Sequence, residues 1–183
     1  MMMKQDKVAQ HQEPRVRLRA LEPEDLEVLY QVENDREVWD VGLTNVPYSR
    51  YVLRDYIAHS SGDIYTDRQV RLMVENDEGE TVGIVDLLNF DPSHRRAEIG
   101  VVIRKERRRQ GVATAALKEL LDYARKTLHL HQIYAFVSKD NEASSRLFLR
   151  LGFEESGLLR EWLFDGFDYH DAALLQFFFK KTP

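Results

Sequence analysis

The sequence predicts one α/β domain with a mixed sheet. Its 183 residues match the length of a single domain. Seven segments show the alternation or short apolar runs of strands, and four show the wider apolar spacing of amphipathic helices. They follow the order β-α-α-β-β-β-α-β-α-β-β. Strands that follow each other directly can form antiparallel hairpins, whereas parallel strands need a crossover such as a helix between them. This order therefore indicates both antiparallel and parallel strand pairs.

The first half of the chain begins with a strand and two helices. Apolar and polar residues alternate at 16–20, which predicts the strand. Proline and acidic residues at 22–25 favour the start of a helix that continues to residue 33. The remaining elements of this half are a loop at 39–48, a helix at 51–59, and strands at 70–74 and 81–88 joined by a hairpin turn at 76–79.

The second half is more strongly patterned. A strand at 97–104 alternates in polarity, and the helix at 113–128 carries one continuous apolar stripe. The elements that follow are a strand at 133–137, a helix capped by Asp140 or Asn141 and ended by Gly152, and strands at 156–164 and 169–179 flanking a turn at 165–167.

Composition excludes several classes of protein. The chain has no cysteine, which excludes a disulfide scaffold, a thiolate zinc site and a catalytic cysteine. No apolar run reaches the length of a membrane span. Residues 1–14 are polar and aperiodic, which predicts a disordered tail before a domain at 15–183. Because no signal segment is visible, we expect a cytoplasmic protein with no membrane partner.

Charge is distributed unevenly along the chain. The formal charge is −5, which argues against nucleic acid as a partner. Residues 1–100 hold 12 basic and 20 acidic side chains, whereas residues 101–183 hold 14 and 11. This asymmetry suits a cationic substrate that meets a polyanionic cofactor, although chance segregation on a solvated surface explains it equally well.

The segment most informative about chemistry is residues 101–113, where a buried strand runs into a basic turn, a glycine and a helix. Gly111 would let a ligand approach the backbone, and first-turn N–H groups of a helix attract negative charge. Five basic side chains at 104–109 add to that attraction. Neither a Walker loop nor Gly-x-Gly-x-x-Gly occurs. The segment predicts a polyanion site, the alternative being an ordinary solvated loop.

Within this segment, Arg108-x-x-Gly111-x-Ala113 has the [Arg/Gln]-x-x-Gly-x-[Gly/Ala] form found in the GNAT superfamily of acyl-CoA N-acyltransferases. The resemblance spans about residues 15–180 and implies a GNAT-like mixed, mostly antiparallel central sheet flanked by helices on both faces. Other segments that resemble the superfamily, in particular its branch of spermidine and ribosomal-protein N-acetyltransferases, are residues 95–98, 137–144, 151–153 and 165–169.

The resemblance implies transfer of acetyl from acetyl-CoA to a primary amine by direct attack, without a metal. By the same resemblance, the strand at 101–103 would hold the pantetheine and residues 108–114 would wrap the pyrophosphate. The alternative is a non-catalytic acyl-CoA-binding or sensing module. The implied cofactor-binding residues are Val101, Val102, Ile103, Arg108, Arg109, Gln110, Gly111, Val112, Ala113, Thr114, Asn141, Ser144, Phe148 and Arg150.

Glu98 is the candidate general base. An amine attacks a thioester only as the free base, so a nearby carboxylate must take its proton. Glu98 lies on the face of its strand opposite Ala97 and Ile99, and similar enzymes place a catalytic acidic residue there. The alternatives are an ion pair with Arg95 or Arg96, or a role limited to binding the substrate cation.

One position departs from the family pattern. Many relatives carry a tyrosine in the second cofactor-contacting helix that protonates the leaving thiolate, and the matching residue here is Phe148. A thiol with a pKa of about 8.5–10 is already a fair leaving group, so losing this donor should slow the reaction without abolishing it. Ser144, Ser145 or water are the predicted substitutes.

The acceptor amine is less well specified. Spermidine acetyltransferases carry acidic residues after the first helix, whereas the loop at 42–48 has none. We therefore expect a peptide N-terminus, an amino acid or another small amine as the acceptor in preference to a polyamine. The alternative is that nearby Glu33, Glu37 and Asp40 compensate for the missing acids. Homo-oligomerisation is left open. His129 and His131 do not predict a metal site, because residues two apart on a helix point apart. The candidate acceptor-binding residues are Glu33, Trp39, Tyr48, Glu98 and Tyr169.

Overall fold

The computed structural model describes residues 14–35 and 46–180. Two short 3₁₀ turns, Pro23–Asp25 and Lys105–Arg107, precede the first and fourth helices. The strands and helices in chain order are β1 Val16–Ala20, α1 Leu26–Glu33, α2 Arg50–His59, α3 Ile64–Asp67, β2 Val70–Asn76, β3 Thr81–Asp91, β4 Arg96–Ile103, α4 Val112–Lys126, β5 Gln132–Ser138, α5 Glu142–Arg150, β6 Glu154–Phe164 and β7 Tyr169–Phe178.

The seven strands form one sheet in the order β1-β2-β3-β4-β5-β7-β6. Each neighbouring pair is antiparallel except β4 and β5, which are parallel and are joined by the crossover helix α4. This arrangement confirms the predicted mixed, mostly antiparallel sheet with helices on both faces.

The parallel pair separates soon after it begins. The ladder joins Arg96–Glu98 of β4 only to residues 132–134 of β5, although both strands continue beyond it. An opening therefore lies between residues 99–103 and 135–138, with backbone polar groups along both edges. Because β4 and β5 are parallel, their carboxyl ends lie at the same edge of the sheet. The N-termini of α4 and α5 consequently flank the mouth of this opening.

The two faces of the sheet are covered by different helices. On the first face, α4 and α5 pack over the main core, with Leu117 and Leu120 fully buried against strand residues such as Ile133. On the second face, α1 and α2 cover the β1–β4 half through a smaller core that includes Leu29 and Met73. Alternation along β4 confirms the prediction, since Ala97 and Ile99 are buried on the first face and Glu98 lies on the second.

Several predicted boundaries shift. The short helix α3 was not predicted, because four residues are too few to show a period; Asp63 caps it by accepting a hydrogen bond from the Tyr65 N–H. Strand β3 runs to Asp91, three residues beyond the prediction. Between the two residues proposed to cap α5, Asn141 is the one that does. Residues 1–13 of the predicted tail lie outside the described residues.

None of the helices within residues 14–35 and 46–180 is long and apolar enough to cross a membrane.

Candidate functional site

The segment between β4 and α4 has the geometry that an anion-binding loop needs. Gly111 is the N-cap of α4 and has a φ of +82°, a conformation that favours glycine. A Cβ at this position would stand 3.1 Å from Cδ of Pro14. No described side chain caps this helix end. The first-turn N–H groups, on Val112, Ala113 and Thr114, therefore keep the polarity that attracts phosphate.

Part of the positive charge of the basic turn is already neutralised. Arg104 lies 3.3 Å from Glu80 on the β2–β3 hairpin, and Arg107 pairs with the same carboxylate. These two ion pairs fix the 3₁₀ turn to the neighbouring hairpin. We therefore expect Arg104 and Arg107 to orient the loop, leaving phosphate contact to the residues that follow.

Those residues are Arg108, Arg109 and Gln110. The Nε of Arg108 donates to the Ile103 carbonyl at 3.0 Å, and its guanidinium lies 3.6 Å from Asp35 at the end of α1. Arg109 is exposed, with a φ of +61°, and no described carboxylate pairs with it. A non-glycine residue in this left-handed backbone conformation is strained, and such strain is typical of ligand-binding loops. The structure thus brings residues 108–114 together around the N-terminus of α4.

The other side of the opening is formed by the start of α5. Asn141 caps the helix by accepting from the Ser144 N–H at 3.0 Å, and Ser145 donates its N–H to the Asn141 carbonyl. Ser144 and Ser145 are half-buried in this first turn. Arg150 is exposed at the far end of the helix. Asn141 and the serines therefore lie near the mouth of the opening, as the resemblance implies.

Phe148 points elsewhere. Its ring is 4% exposed and lies edge-on to Phe153, with ring centroids 4.9 Å apart, inside the main core. A direct contact with the cofactor stays a prediction for this residue, and the packing accounts for a phenylalanine here on its own.

Glu98 occupies the point where β4 and β5 separate. It is half-buried, and its Oε2 accepts a hydrogen bond from Nδ2 of Asn89 at 2.8 Å. Burial raises the pKa of Glu98 above that of an ordinary glutamate, while the Asn89 hydrogen bond partly opposes this shift. A carboxylate with a raised pKa is a stronger base than an ordinary one, which suits it to taking a proton from an amine.

The proposed ion pairs of Glu98 do not form. Arg95 instead donates from Nε to the His129 carbonyl at 2.7 Å, and Arg96 lies 3.3 Å from Asp91. The alternative in which either arginine neutralises Glu98 is therefore wrong, because both guanidinium groups are engaged elsewhere.

Two residues beside Glu98 were not assigned from the sequence. Asn89 has a φ of +49° at an irregularity in the β3–β4 ladder, which turns its amide towards Glu98. Tyr134 is the register partner of Glu98 on β5 and lies on the same face. Its alternation with buried Ile133 and Ala135 gives its face, but only the β4–β5 pairing reveals its neighbour.

The predicted acceptor residues do not all converge. Glu33 pairs with Arg71, which also lies 2.8 Å from Asp86. Tyr48 packs against the smaller core, and the Asn34 side chain accepts from its N–H at 2.9 Å. Trp39 lies outside the described residues. Glu33 and Tyr48 thus frame the second face near α1, on the same face as Glu98.

Tyr169 lies farther away. It is seven residues along β7 from Gln176, the register partner of Tyr134, or roughly 24 Å for extended chain. Its ring packs on Phe164 in the β6–β7 hairpin. The structure therefore does not bring Tyr169 beside Glu98.

The β6–β7 turn is instead tied to the start of α5. The two ring nitrogens of His170 each lie 2.8 Å from a carboxylate, Asp140 at Nδ1 and Asp165 at Nε2. Hydrogen bonds to Asp165 and then Asp140 raise the pKa of His170, which favours the doubly protonated ring. The contacts of His170 are thus explained by the structure of the turn.

Comparisons with known proteins agree with this geometry. The family described as acetyltransferase (GNAT) domain matches residues 15–154. A spermidine N(1)-acetyltransferase of Escherichia coli (strain K12) is 35% identical over 165 residues, covering 89% of this chain and 86% of that protein.

Solved structures of spermidine N-acetyltransferase from Vibrio cholerae also match. One, in complex with CoA and spermine, has a TM-score of 0.78 and 28% identity, covering 89% of this chain and 95% of that one. Another, described as dodecameric and in an intermediate state, has a TM-score of 0.76 and 30% identity, covering 89% and 93%.

The predicted activity is confirmed by these matches. The relatives are enzymes, so the alternative of a non-catalytic binding module is not supported. Acetyl-CoA is the acetyl donor and an amine is the acceptor. The opening between β4 and β5, the uncapped start of α4 and the family match lead to one assignment: this chain belongs to the GNAT acetyltransferases.

Proposed function

We propose that Glu98 is the general base of this acetyl-CoA-dependent N-acetyltransferase, and that the acceptor presents a single primary amine to it. The observation that carries the proposal is the position of Glu98. It is a half-buried carboxylate, without a basic partner among the described residues, at the point where β4 and β5 separate. An ammonium group is drawn to such a carboxylate, and when the amine attacks as the free base the same carboxylate can accept the N–H proton.

The coenzyme would lie in the opening next to Glu98. Backbone groups of residues 101–103 are free of β5 and can bind the pantetheine amides and the acetyl carbonyl. The pyrophosphate would lie at residues 108–114, where a helix N-terminus meets Arg108 and Arg109. Asn141, Ser144 and the exposed side of α5 to Arg150 would line the opposite wall. The reacting carbonyl would then lie within reach of an amine on the second face.

Charge on the second face favours a monoamine over a polyamine. Around the site, Glu33 and Asp86 share Arg71, and Asp91 pairs with Arg96. Glu98, whose described partner is the neutral amide of Asn89, is left as the carboxylate that can meet an ammonium without first losing a basic partner. A polyamine needs several such positions to hold its several cations.

This proposal predicts the ranking of acceptors. A peptide with a free N-terminal amine, or a small monoamine, should show a kcat/KM at least about tenfold above that of spermidine, since among the described residues of the second face a second cation finds its carboxylates already paired with arginines. Thiol release from acetyl-CoA with each amine is the measurement, and the same peptide blocked at its N-terminus is the control. Spermidine as the best substrate would overturn the monoamine assignment. Binding of acetyl-CoA without turnover of any amine would overturn the base assignment.

Self-association is a second part of the proposal. The β6–β7 hairpin exposes an aromatic patch formed by Trp162, Phe164, Phe167 and Tyr169. Phe167, at the turn, is 90% exposed. Contiguous exposed aromatic residues are typical of protein interfaces, and a dodecameric relative supports a homo-oligomer here.

Replacing Phe167 by aspartate tests this part. The change puts a charge at the most exposed side chain of the aromatic patch, so we expect the solution mass, measured by light scattering, to fall to that of a smaller assembly. Tyr51→Asp is the matched control, because Tyr51 is 77% exposed on α2, away from the patch. An unchanged mass for the Phe167 variant would mean that the patch is not the contact.

A further inference from the structure

The proposed reaction needs a proton at the leaving sulfur, and the family's usual donor is missing. At the matching position, the Phe148 ring is enclosed by the main core and has no hydroxyl. The first turn of α5 offers Ser144 and Ser145, but their hydroxyls are far weaker acids than a phenol. A phenol near the point where β4 and β5 separate would be a stronger acid than either serine.

Tyr134 is the phenol at that point. Glu98 and Tyr134 form the last register pair before the two strands part. In β5 the residues on either side, Ile133 and Ala135, are buried on the first face, so the Tyr134 side chain lies on the second face with Glu98. The phenol therefore stands beside the base, at the inner end of the opening that the thioester would occupy.

The surroundings of Tyr134 favour the protonated form of its phenol. Burial, and then the negative charge of Glu98, raise the pKa of the phenol. Asp91 on β3 also raises this pKa, and Arg96 on β4 lowers it. From β7 it faces Gln176, which is neutral. The Phe136 ring, with its centroid 5.6 Å away, covers another side.

We propose that the Tyr134 hydroxyl donates the proton that the sulfur of coenzyme A takes up when the C–S bond breaks. This assignment rests on the proposed function, because it assumes that the amine attacks beside Glu98.

For an amine that attacks as the free base, Glu98 and Tyr134 can make every proton transfer without solvent. The nitrogen lone pair forms the new C–N bond with the acetyl carbonyl carbon, and Glu98 accepts one N–H proton. The C–S electron pair leaves with the sulfur, which takes the Tyr134 proton and becomes the thiol. The protonated Glu98 then returns its proton to the Tyr134 oxygen. Both side chains end in their starting states, and one proton has moved from nitrogen to sulfur.

Tyr134→Phe is the first test. We expect kcat to fall by about tenfold, because the thiol is acidic enough to leave slowly without help, while the KM for acetyl-CoA stays unchanged. Tyr123→Phe is the matched control: Tyr123 is also a tyrosine whose pKa burial raises, but it lies on α4 over the first face. It should keep wild-type kcat. A Tyr134→Phe variant with a kcat within twofold of wild type would overturn the proposal.

The second test separates proton donation from positioning. A 3-fluorotyrosine at position 134 keeps the ring and the hydroxyl but makes the phenol more acidic. If the phenol is the donor, the alkaline limb of the kcat–pH profile should move to lower pH, and the same replacement at position 123 should leave the profile unchanged. A fixed alkaline limb, even with a slow Tyr134→Phe variant, would show that the hydroxyl only positions other groups.

If the proposed function itself were wrong, the variants would show a different set of rates. If Glu98 were not the base, Glu98→Gln would retain turnover while Tyr134→Phe could still lose it. If Ser144 or Ser145 were the donor, its alanine variant would carry the loss in kcat and Tyr134→Phe would not, which overturns the Tyr134 assignment alone. Thermal unfolding and acetyl-CoA titration of each variant confirm that the protein compared is folded and loaded.

Discussion

Replacement of Glu98 by glutamine is expected to lower turnover by about 10²–10⁴-fold and to leave acetyl-CoA affinity nearly unchanged. Glutamine keeps the shape of the side chain and can still bond to the Asn89 amide, so the local structure should persist. It cannot accept a proton from the attacking amine, so the chemical step should slow. Initial rates of thiol release, together with a titration of acetyl-CoA binding, measure the two quantities.

The direction in which the rate changes with pH is also predicted. Glu98 acts as a base only when it is ionised, so the wild-type rate should rise with pH as its carboxyl group loses a proton. Because burial raises the pKa of Glu98, that rise should lie above the range of an ordinary glutamate. The Glu98→Gln variant should lack this limb.

A second glutamate serves as the control. Glu119 is exposed on α4, over the first face of the sheet, so Glu119→Gln removes the same charge from the chain without touching the site. Its turnover and pH profile should equal those of the wild type. If Glu98→Gln retained wild-type turnover at every pH, Glu98 would have no part in proton transfer.

The elements that position the site were largely readable from the sequence, because each depends on local patterning. The apolar stripe of α4 and the alternation of β4 place Gly111 at a helix start and Glu98 on a strand face. Both features arise from side-chain periodicity, which a linear sequence displays directly. The polyanion loop could be named for this reason, whereas naming Glu98 as the base also depended on the resemblance to enzymes that place a catalytic acidic residue at that strand position.

The neighbours of Glu98 could not be named, because they depend on pairing between distant strands. Asn89 reaches Glu98 only through the irregular end of the β3–β4 ladder, and Tyr134 faces it only through the β4–β5 register. Alternation gives the face of a residue and not the strand beside it. In the same way, the burial of Phe148 depends on how α5 lies against Phe153, which no local pattern specifies.

Replacement of Gly111 by valine should weaken acetyl-CoA binding by about 2 kcal/mol or more, close to a 30-fold rise in Kd. At a φ of +82° a β-branched side chain is strained, and its Cβ would stand 3.1 Å from Pro14. The loop must therefore move, which displaces the first-turn N–H groups of α4 from the pyrophosphate. Titration of the folded variant with acetyl-CoA measures the loss.

Strain alone would also destabilise the fold, and a matched glycine separates the two effects. Gly62 has a φ of +66° in the segment between α2 and α3, with no atom within 4 Å of a Cβ built there. Gly62→Val should lower the melting temperature through the same backbone strain while leaving the Kd for acetyl-CoA at its wild-type value. Gly111→Val should change both. Equal affinities for the two variants would mean that the phosphates bind elsewhere, since the first turn of α4 would then be moved without consequence.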